Sequence, residues 1–145
     1  GQLPERMGSQ HPNIAPYGDI FYTRDQYPII LGTGTQRQFE ALCDILDLPS
    51  LKQDSRYATN PRRLVNRALL NQQLETAFAQ LDWETLKDRS RAQEVTLAPG
   101  NNLEAVCTLP AAQKLILEEQ KDDRSHSERV RTVVFRGQGE KDEKE

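Results

Sequence analysis

Long apolar runs are missing from this sequence. No stretch approaches the roughly 20 residues that a membrane-spanning helix requires, and the N-terminus has no basic segment followed by a hydrophobic one, as a signal peptide would. These absences lead to the expectation of a soluble, cytoplasmic protein with no membrane partner. Cysteine is scarce: Cys43 and Cys107 are the only two. Each sits in a segment of apolar periodicity, away from any CxxC or histidine partner, so both are expected to be buried, reduced thiols, and no metal site is expected. A net basic charge is also lacking. Nineteen Lys and Arg stand against 22 Asp and Glu, a formal charge of -3 with a pI near 5.5, which argues against nucleic acid as a partner. Hydrophobic residues make up 36% of the 145 and the mean hydropathy is -0.76. Such a chain can build one modest core, and either part of it is solvated or an apolar face meets something further.

Catalytic constellations are missing too. The chain has no Gly-x-Ser-x-Gly elbow, phosphate loop, His-Glu-x-x-His pair or closely spaced His and Cys. His11 and His126 are the only histidines; one falls in a Gly/Pro lead-in and the other in a polar stretch, so both are read as exposed or locally bonded. Asp54 and Arg56 are read as a turn or surface ion pair. Arg62, Arg63 and Arg67 could hold a phosphate at a helix start, but a solvated helix face is the favoured reading. Trp83 is read as a packing anchor.

What is present organises the chain. Residues Gly1 to Gly18 show no period of two or 3.6 and read as a loop-like lead-in. Aromatic and β-branched residues in Asp19 to Thr23 and Tyr27 to Leu31 bracket Arg24-Asp25-Gln26 as a hairpin, ended by Gly32 and Gly34. Thr35 and Gln38 have capping-box spacing, and Phe39, Leu42, Cys43 and Leu46 follow on one helical face, with an end expected near Asp47. Leu48 to Thr59 is expected to be irregular. Asn60 as N-cap and Pro61 as first helical residue then open a long helix. Its buried stripe is Leu64, Ala68, Leu70, Leu74, Ala77, Phe78 and Leu81, with Arg62, Arg63, Arg67 and Glu75 on flanking or solvent faces. Asp82 caps a shorter helix holding Trp83 and Leu86. Val95 to Ala98 is a short strand, Pro99 to Asn102 a turn, and Leu103, Val106 and Cys107 lie on a brief helix. Leu115 to Leu117 and Val130 to Phe135 are further strand candidates, separated by a polar stretch from Glu118 to Glu128, read as a mobile loop or the exposed end of a hairpin. The fold class is α+β, a small, largely antiparallel sheet with a central helical segment. The expected organisation is a lead-in over 1–18, an α+β domain over 19–136 and a disordered charged tail over 137–145.

Two segments taken together carry a resemblance. Gly8-Ser9-Gln10-His11-Pro12-Asn13-Ile14-Ala15-Pro16-Tyr17-Gly18 and Asp54-Ser55-Arg56-Tyr57-Ala58-Thr59-Asn60 resemble the family III CoA-transferases, the CaiB/BaiF group that includes carnitine and formyl-CoA transferases. Phe39 to Cys43, Arg63 to Arg67 and Val95 to Val106 fall in the same order as the family's helix, "R-x-x-N-R" and "V-P-x-x-P-V-N-x-L-x-E-V" elements. The likeness spans about Gly8 to Leu117. Gln26 stands where the family usually has glycine, Thr96 where a proline often stands, and Gly8-Ser9-Gln10 is less glycine-rich than the family's active-site loop.

The resemblance implies the small domain of a two-domain enzyme that transfers coenzyme A from an acyl-CoA thioester to a carboxylic acid. In such an enzyme the large Rossmann-like domain binds CoA and supplies an aspartate that forms an acyl anhydride and then an enzyme thioester. No catalytic residue would lie in this chain, which is expected to bind no cofactor and to be inactive alone. Gly8, Ser9, Gln10 and His11 would form the substrate-proximal loop, and the intact protein would be an interlocked homodimer. An α-methylacyl-CoA racemase-like parent and a free-standing protein-interaction domain are the alternatives.

Overall fold

The computed structural model describes residues 8–122 and 125–130, with side chains through Leu117. Residues 1–7 of the lead-in, 131–135 of the last strand candidate and the charged tail 137–145 lie outside the described residues. The chain divides into two units, Gly1–Gly100 and Asn101–Glu145.

The first unit places a three-stranded antiparallel sheet against helices. Strands β1 (Tyr17–Tyr22) and β2 (Pro28–Gly32) form the expected hairpin, with Phe21 opposite Ile29 and an irregularity between Tyr17 and Ile20. The turn between them holds Gln26 at φ 60. A side chain is strained there, as the missing glycine foretold. Strand β3 (Leu97–Pro99) pairs with β2 through Ile29 to Pro99 and Leu31 to Leu97, giving the order β1-β2-β3.

Alternation sorts the two faces of this sheet. Phe21, Ile29 and Leu31 are buried with Phe39, Leu42, Cys43, Leu70, Leu74, Phe78 and Leu86. Ile20, Tyr22 and Ile30 are exposed. Phe21 stacks on Phe78 with ring centroids 4.9 Å apart, tying the sheet to the helical layer.

Helix α1 (Gln36–Ile45) starts as expected: the Thr35 hydroxyl accepts from the Gln38 amide and Gln38 Oε1 accepts from the Thr35 amide. It ends one turn-closing step later, where the Leu48 amide donates to the Cys43 carbonyl and Asp47 sits at φ 56. That is a Schellman stop with aspartate in the place glycine favours. Helix α5 (Trp83–Ala92) begins at Asp82, whose carboxylate accepts from the Thr85 amide; these bonds hold its carboxyl below the ordinary range. The helix stops in the same way as α1, with the Val95 amide on the Ser90 carbonyl and Glu94 at φ 55. Trp83 stacks on Tyr27 at 5.4 Å, the packing anchor expected.

Between α1 and α5 the sequence reading needs correction. The stretch expected to be irregular contains a short helix, α2 (Pro49–Gln53), started by proline at its first position and burying Leu51. The expected long helix is two, α3 (Asn60–Val65) and α4 (Arg67–Phe78). Asn66 Nδ2 donates back to the Arg62 carbonyl at 2.9 Å, and Asn66 takes φ -103 and ψ 19, so a side chain competing for backbone acceptors marks the break. Thr59, not Asn60, holds the N-cap position. Leu70, Leu74 and Phe78 are buried as expected, but Ala68 is exposed and Arg63 is fully buried.

In the second unit, α6 (Leu103–Cys107) is capped by Asn102, whose Oδ1 accepts from the Ala105 amide, and α7 (Pro110–Gln113) follows. Of the two readings of the stretch from Glu118 to Glu128, a mobile loop or the exposed end of a hairpin, the hairpin is found in its described residues. Strand β4 (Ile116–Asp122) pairs antiparallel with β5 (Ser125–Val130), Ile116 opposite Val130 and Gln120 opposite His126. Its polar composition is no obstacle, because a hairpin ladder is made by the backbone and needs no apolar face.

Cys107 is exposed, against the sequence reading, while Cys43 is buried. Burial, with the Asp44 carboxylate adding to it, pushes the Cys43 thiol up to about 12. One thiol of the two is therefore expected to react with a disulfide reagent in the native chain at pH 8, and the second only with unfolding. Replacing Cys107 by Ser should abolish the fast phase. A second test concerns the strained helix stop: Glu94→Gly is expected to raise the melting temperature and Glu94→Ala is not, because only glycine relieves the left-handed backbone.

Candidate functional site

The lead-in that carries Gly8, Ser9, Gln10 and His11 has no regular secondary structure up to β1, so its backbone polar groups must be satisfied from elsewhere. Side chains of α3 and α4 supply most of the partners. Asn60 Nδ2 donates to the Asn13 carbonyl at 2.8 Å and Asn60 Oδ1 accepts from the Ala15 amide at 3.0 Å. Arg63 Nε donates to the Ala15 carbonyl at 2.8 Å. Arg67 donates from Nη1 to the His11 carbonyl and from Nη2 to the Ile14 carbonyl, both at 2.8 Å. Four backbone carbonyls, at residues 11, 13, 14 and 15, and the Ala15 amide are thus held by three side chains.

Each of these side chains is itself fixed. Arg63 is 2% exposed. Its Nη1 donates to Gln36 Oε1 at 2.7 Å and to the Tyr57 carbonyl at 3.0 Å, and its guanidinium lies 4.4 Å from the centre of the Phe39 ring. Desolvation lowers its pKa from the ordinary value, yet a guanidinium stays charged at physiological pH. The aromatic face and the carbonyl dipoles therefore compensate a buried cation. Arg67 pairs with Asp19 at 3.3 Å, and the other Asp19 oxygen accepts from Asn71 Nδ2 at 3.2 Å. Asp19 is 1% exposed, so this pair lies largely out of water.

The loop closes on itself as well. The His11 amide donates to the Tyr17 carbonyl at 2.9 Å, His11 Nδ1 accepts from the Asn13 amide at 3.1 Å, and the His11 and Tyr17 rings meet edge to face at 5.6 Å. Gly18 has φ +75, and a Cβ there would lie 2.1 Å from the Ser9 carbonyl oxygen. Only glycine admits both the backbone angle and the approach. Beyond these anchors Gly8, Ser9 and Gln10 are exposed. The result is a pinned base with an open tip.

Of the residues singled out from sequence, His11 is locally bonded, as read. His126 lies in β5, away from any reading as a loop residue. Asp54 and Arg56 form the expected surface pair, joined through both carboxylate oxygens. Arg62 donates to the Ser55 carbonyl. Arg63 and Arg67 form neither an anion pocket nor a solvated face: Arg63 donates to the Ala15 carbonyl of the lead-in, to the Tyr57 carbonyl and to Gln36, and Arg67 to the lead-in and Asp19. Sequence reasoning missed this because it assigns arginines to solvent, and the signal available was only the pairing of an irregular, Pro-rich segment with an arginine cluster. Two surface hollows of the first unit, of about 200 and 340 Å3, are lined by Thr35, Gln38 and Gln93 in one case and by Trp83, Lys87 and Leu97 in the other; neither of these includes the loop.

Comparison with known proteins decides the relationship. The model of the family described as CoA-transferase family III matches residues 1–143. The chain belongs to CoA-transferase family III. A succinate–glutarate CoA-transferase of Agrobacterium fabrum is 31% identical over 140 residues, which cover 95% of this chain and 34% of that protein. An acetyl-CoA:oxalate CoA-transferase of Acetobacter aceti is 30% identical over 120 residues, 81% of this chain and 30% of that protein. A crystal structure of a CaiB/BaiF family protein from Brucella suis superposes with a TM-score of 0.81 at 29% identity, over 94% of this chain and 35% of that one. The chain therefore spans about a third of the length of these relatives, and its α+β architecture is that of a family III domain. The pinned lead-in is, in this family member, an anchored loop on a helical platform.

Two substitutions test the anchoring. Removing Arg67 leaves Asp19 buried without its cation, so Arg67→Ala is expected to destabilise the chain by about 3 kcal/mol in urea unfolding, whereas Arg62→Ala should be nearly neutral. Gly18→Ala is expected to cost at least about 1–2 kcal/mol from the left-handed backbone alone, in the same assay.

Proposed function

We propose that this chain is the small, noncatalytic domain of a longer acyl-CoA:carboxylate CoA-transferase, in which it covers the active site held by a large Rossmann-like domain. The observation that carries the reading is the anchored loop with its open tip. A segment without regular secondary structure is fixed to the helical body by three buried or half-buried side chains, while Gly8, Ser9, Gln10 and His11 at its end remain available to a substrate. Order of this kind is what a loop needs if it is to meet an acyl group in one geometry. Family membership supports the reaction class, and the one-third span is consistent with a partner domain in the same polypeptide.

In this reading the nucleophile is a carboxylate of the large domain. It attacks the thioester carbonyl and CoA leaves as thiolate, giving an acyl anhydride; the thiolate then attacks the enzyme's own carbonyl of that anhydride, which expels the donor carboxylate and leaves an enzyme thioester. The incoming acid displaces CoA from that thioester to form a second anhydride, and the thiolate attacks its acyl carbonyl to release the new acyl-CoA and the free enzyme carboxylate. Residues of this chain take no part in bond making. They exclude water from the anhydride and shape the acyl pocket. The names of relatives point to small dicarboxylates, succinate and glutarate in one and oxalate in another, and we carry that substrate class over as the acid to try first. The intact protein is read as a cytoplasmic, interlocked homodimer.

The test is an assay of the longer protein with an acyl-CoA and an isotopically labelled dicarboxylic acid. Label is expected to enter the CoA thioester. Exchange of the α-hydrogen with solvent, without transfer of label, would replace the transferase reading by a racemase one. The 145-residue chain alone is expected to show no turnover and no saturable CoA binding at micromolar concentration; tight binding would overturn the division of labour.

A further inference from the structure

One residue stands between the open tip and the helical platform. Arg67 opens α4, and its guanidinium reaches the carbonyls of His11 and Ile14 at 2.8 Å each. These two acceptors are the two ends of the turn 11–14. One planar cation therefore sets the distance and the angle between them, as a fork of rigid donors can and a point charge cannot. His11 is held on both sides of its own peptide frame, its carbonyl by Arg67 and its amide by the Tyr17 carbonyl at 2.9 Å. It is also the last anchored residue before Gln10, Ser9 and Gly8. The direction in which the tip leaves the body is accordingly decided at His11.

Behind Arg67 stands a support whose chemistry fits that task. Asp19 takes Nη2 of Arg67 on one oxygen and Nδ2 of Asn71 on the other, which fixes the guanidinium plane. Arg67 Nε and Asn71 Oδ1 are buried with no hydrogen-bond partner. An unsatisfied donor and acceptor in a network so well enclosed are a cost to folding, and a network kept at a cost is one whose geometry is used. Arg63, by contrast, is buried among core groups and holds only Ala15, farther from the tip.

We propose that Arg67 is a positioning residue for the CoA-transfer reaction: through the His11 and Ile14 carbonyls it aims the Gly8–His11 tip at the acyl group. The inference rests on the reading of that tip as substrate-facing. Arg67 touches no reacting atom, so its loss should act on the precision of the bound state more than on binding itself. Misplacement of a positioned group by about 1 Å can lower turnover on the order of 100-fold.

The experiment compares kcat and KM of the longer protein carrying Arg67→Lys, with Arg62→Lys as the control from the neighbouring helix. Lysine keeps the charge for Asp19 but cannot hold both carbonyls. The expected result is a fall in kcat of about 10-fold or more, KM for the acyl-CoA within about threefold of the unsubstituted value, and no change in either constant for Arg62→Lys. Should Arg67→Lys not fold, Asn71→Ala, which frees Asp19 and with it the guanidinium plane, is expected to lower kcat in the same sense. Unchanged kcat in the folded variant, or equal losses in kcat from Arg67→Lys and Arg62→Lys, would overturn the proposal while leaving the transferase reading in place. An unsubstituted protein that transfers no CoA to the labelled acid would remove that reading, and the inference with it.

Discussion

A cation with no water around it organises this domain. Arg63 places its guanidinium among Phe39, the Tyr57 and Ala15 carbonyls and Gln36, and those groups come from three different parts of the first unit. Helix α1 contributes the ring and the amide oxygen, the loop after α2 one carbonyl, and the lead-in another. Burying a charge is unfavourable unless every donor finds an acceptor. The three segments must therefore be in place together, and the arginine acts as a joint that specifies their arrangement more than as a source of net stability.

Arg67 and Asn60 extend that joint along the lead-in. Without them residues 11–15 would be a run of backbone groups with no ladder or helix to complete them. With them, a stretch that has the composition of a loop acquires the position of a structural element while its end stays open. The precision of this irregular segment lies in α3 and α4, and the exposed residues at its end are carried on it. Gly18 completes the arrangement by letting the strand that follows pass under Ser9.

The parts of this structure that could be read from sequence are those whose causes are local. The Thr35 and Gln38 box, the Asp82 cap, the β1-β2 hairpin and the apolar face of α1 need only neighbours within a few residues, and all stand as read. So does the strain at Gln26, since a turn position that calls for glycine is a property of the backbone. What escaped was decided at long range. Asn60 has the look of a helix cap, but its side chain serves Asn13 and Ala15, more than forty residues away in the chain. Arg63 and Arg67 look like solvent-facing charges until the segment they hold is folded over them. Strands β4 and β5 carry too few apolar residues to show a period, so the sequence left a hairpin and a loop as alternatives and did not choose between them. The order of motifs along the chain gave the family where no single motif would have, because several weak patterns in register constrain one another.

The central claim is that side chains of α3 and α4, together with the lead-in's own bonds at His11 and Asn13, hold residues 11–15 in place as one unit with the helical body. Amide hydrogen exchange at His11 and Ala15 in the 145-residue chain measures it most directly, with the Leu70 amide of α4 as the internal standard. The account predicts that both loop amides exchange nearly as slowly as Leu70, as members of one cooperative unit. Exchange at the rate of a free peptide at His11 and Ala15, in a chain whose Leu70 remains protected, would contradict it.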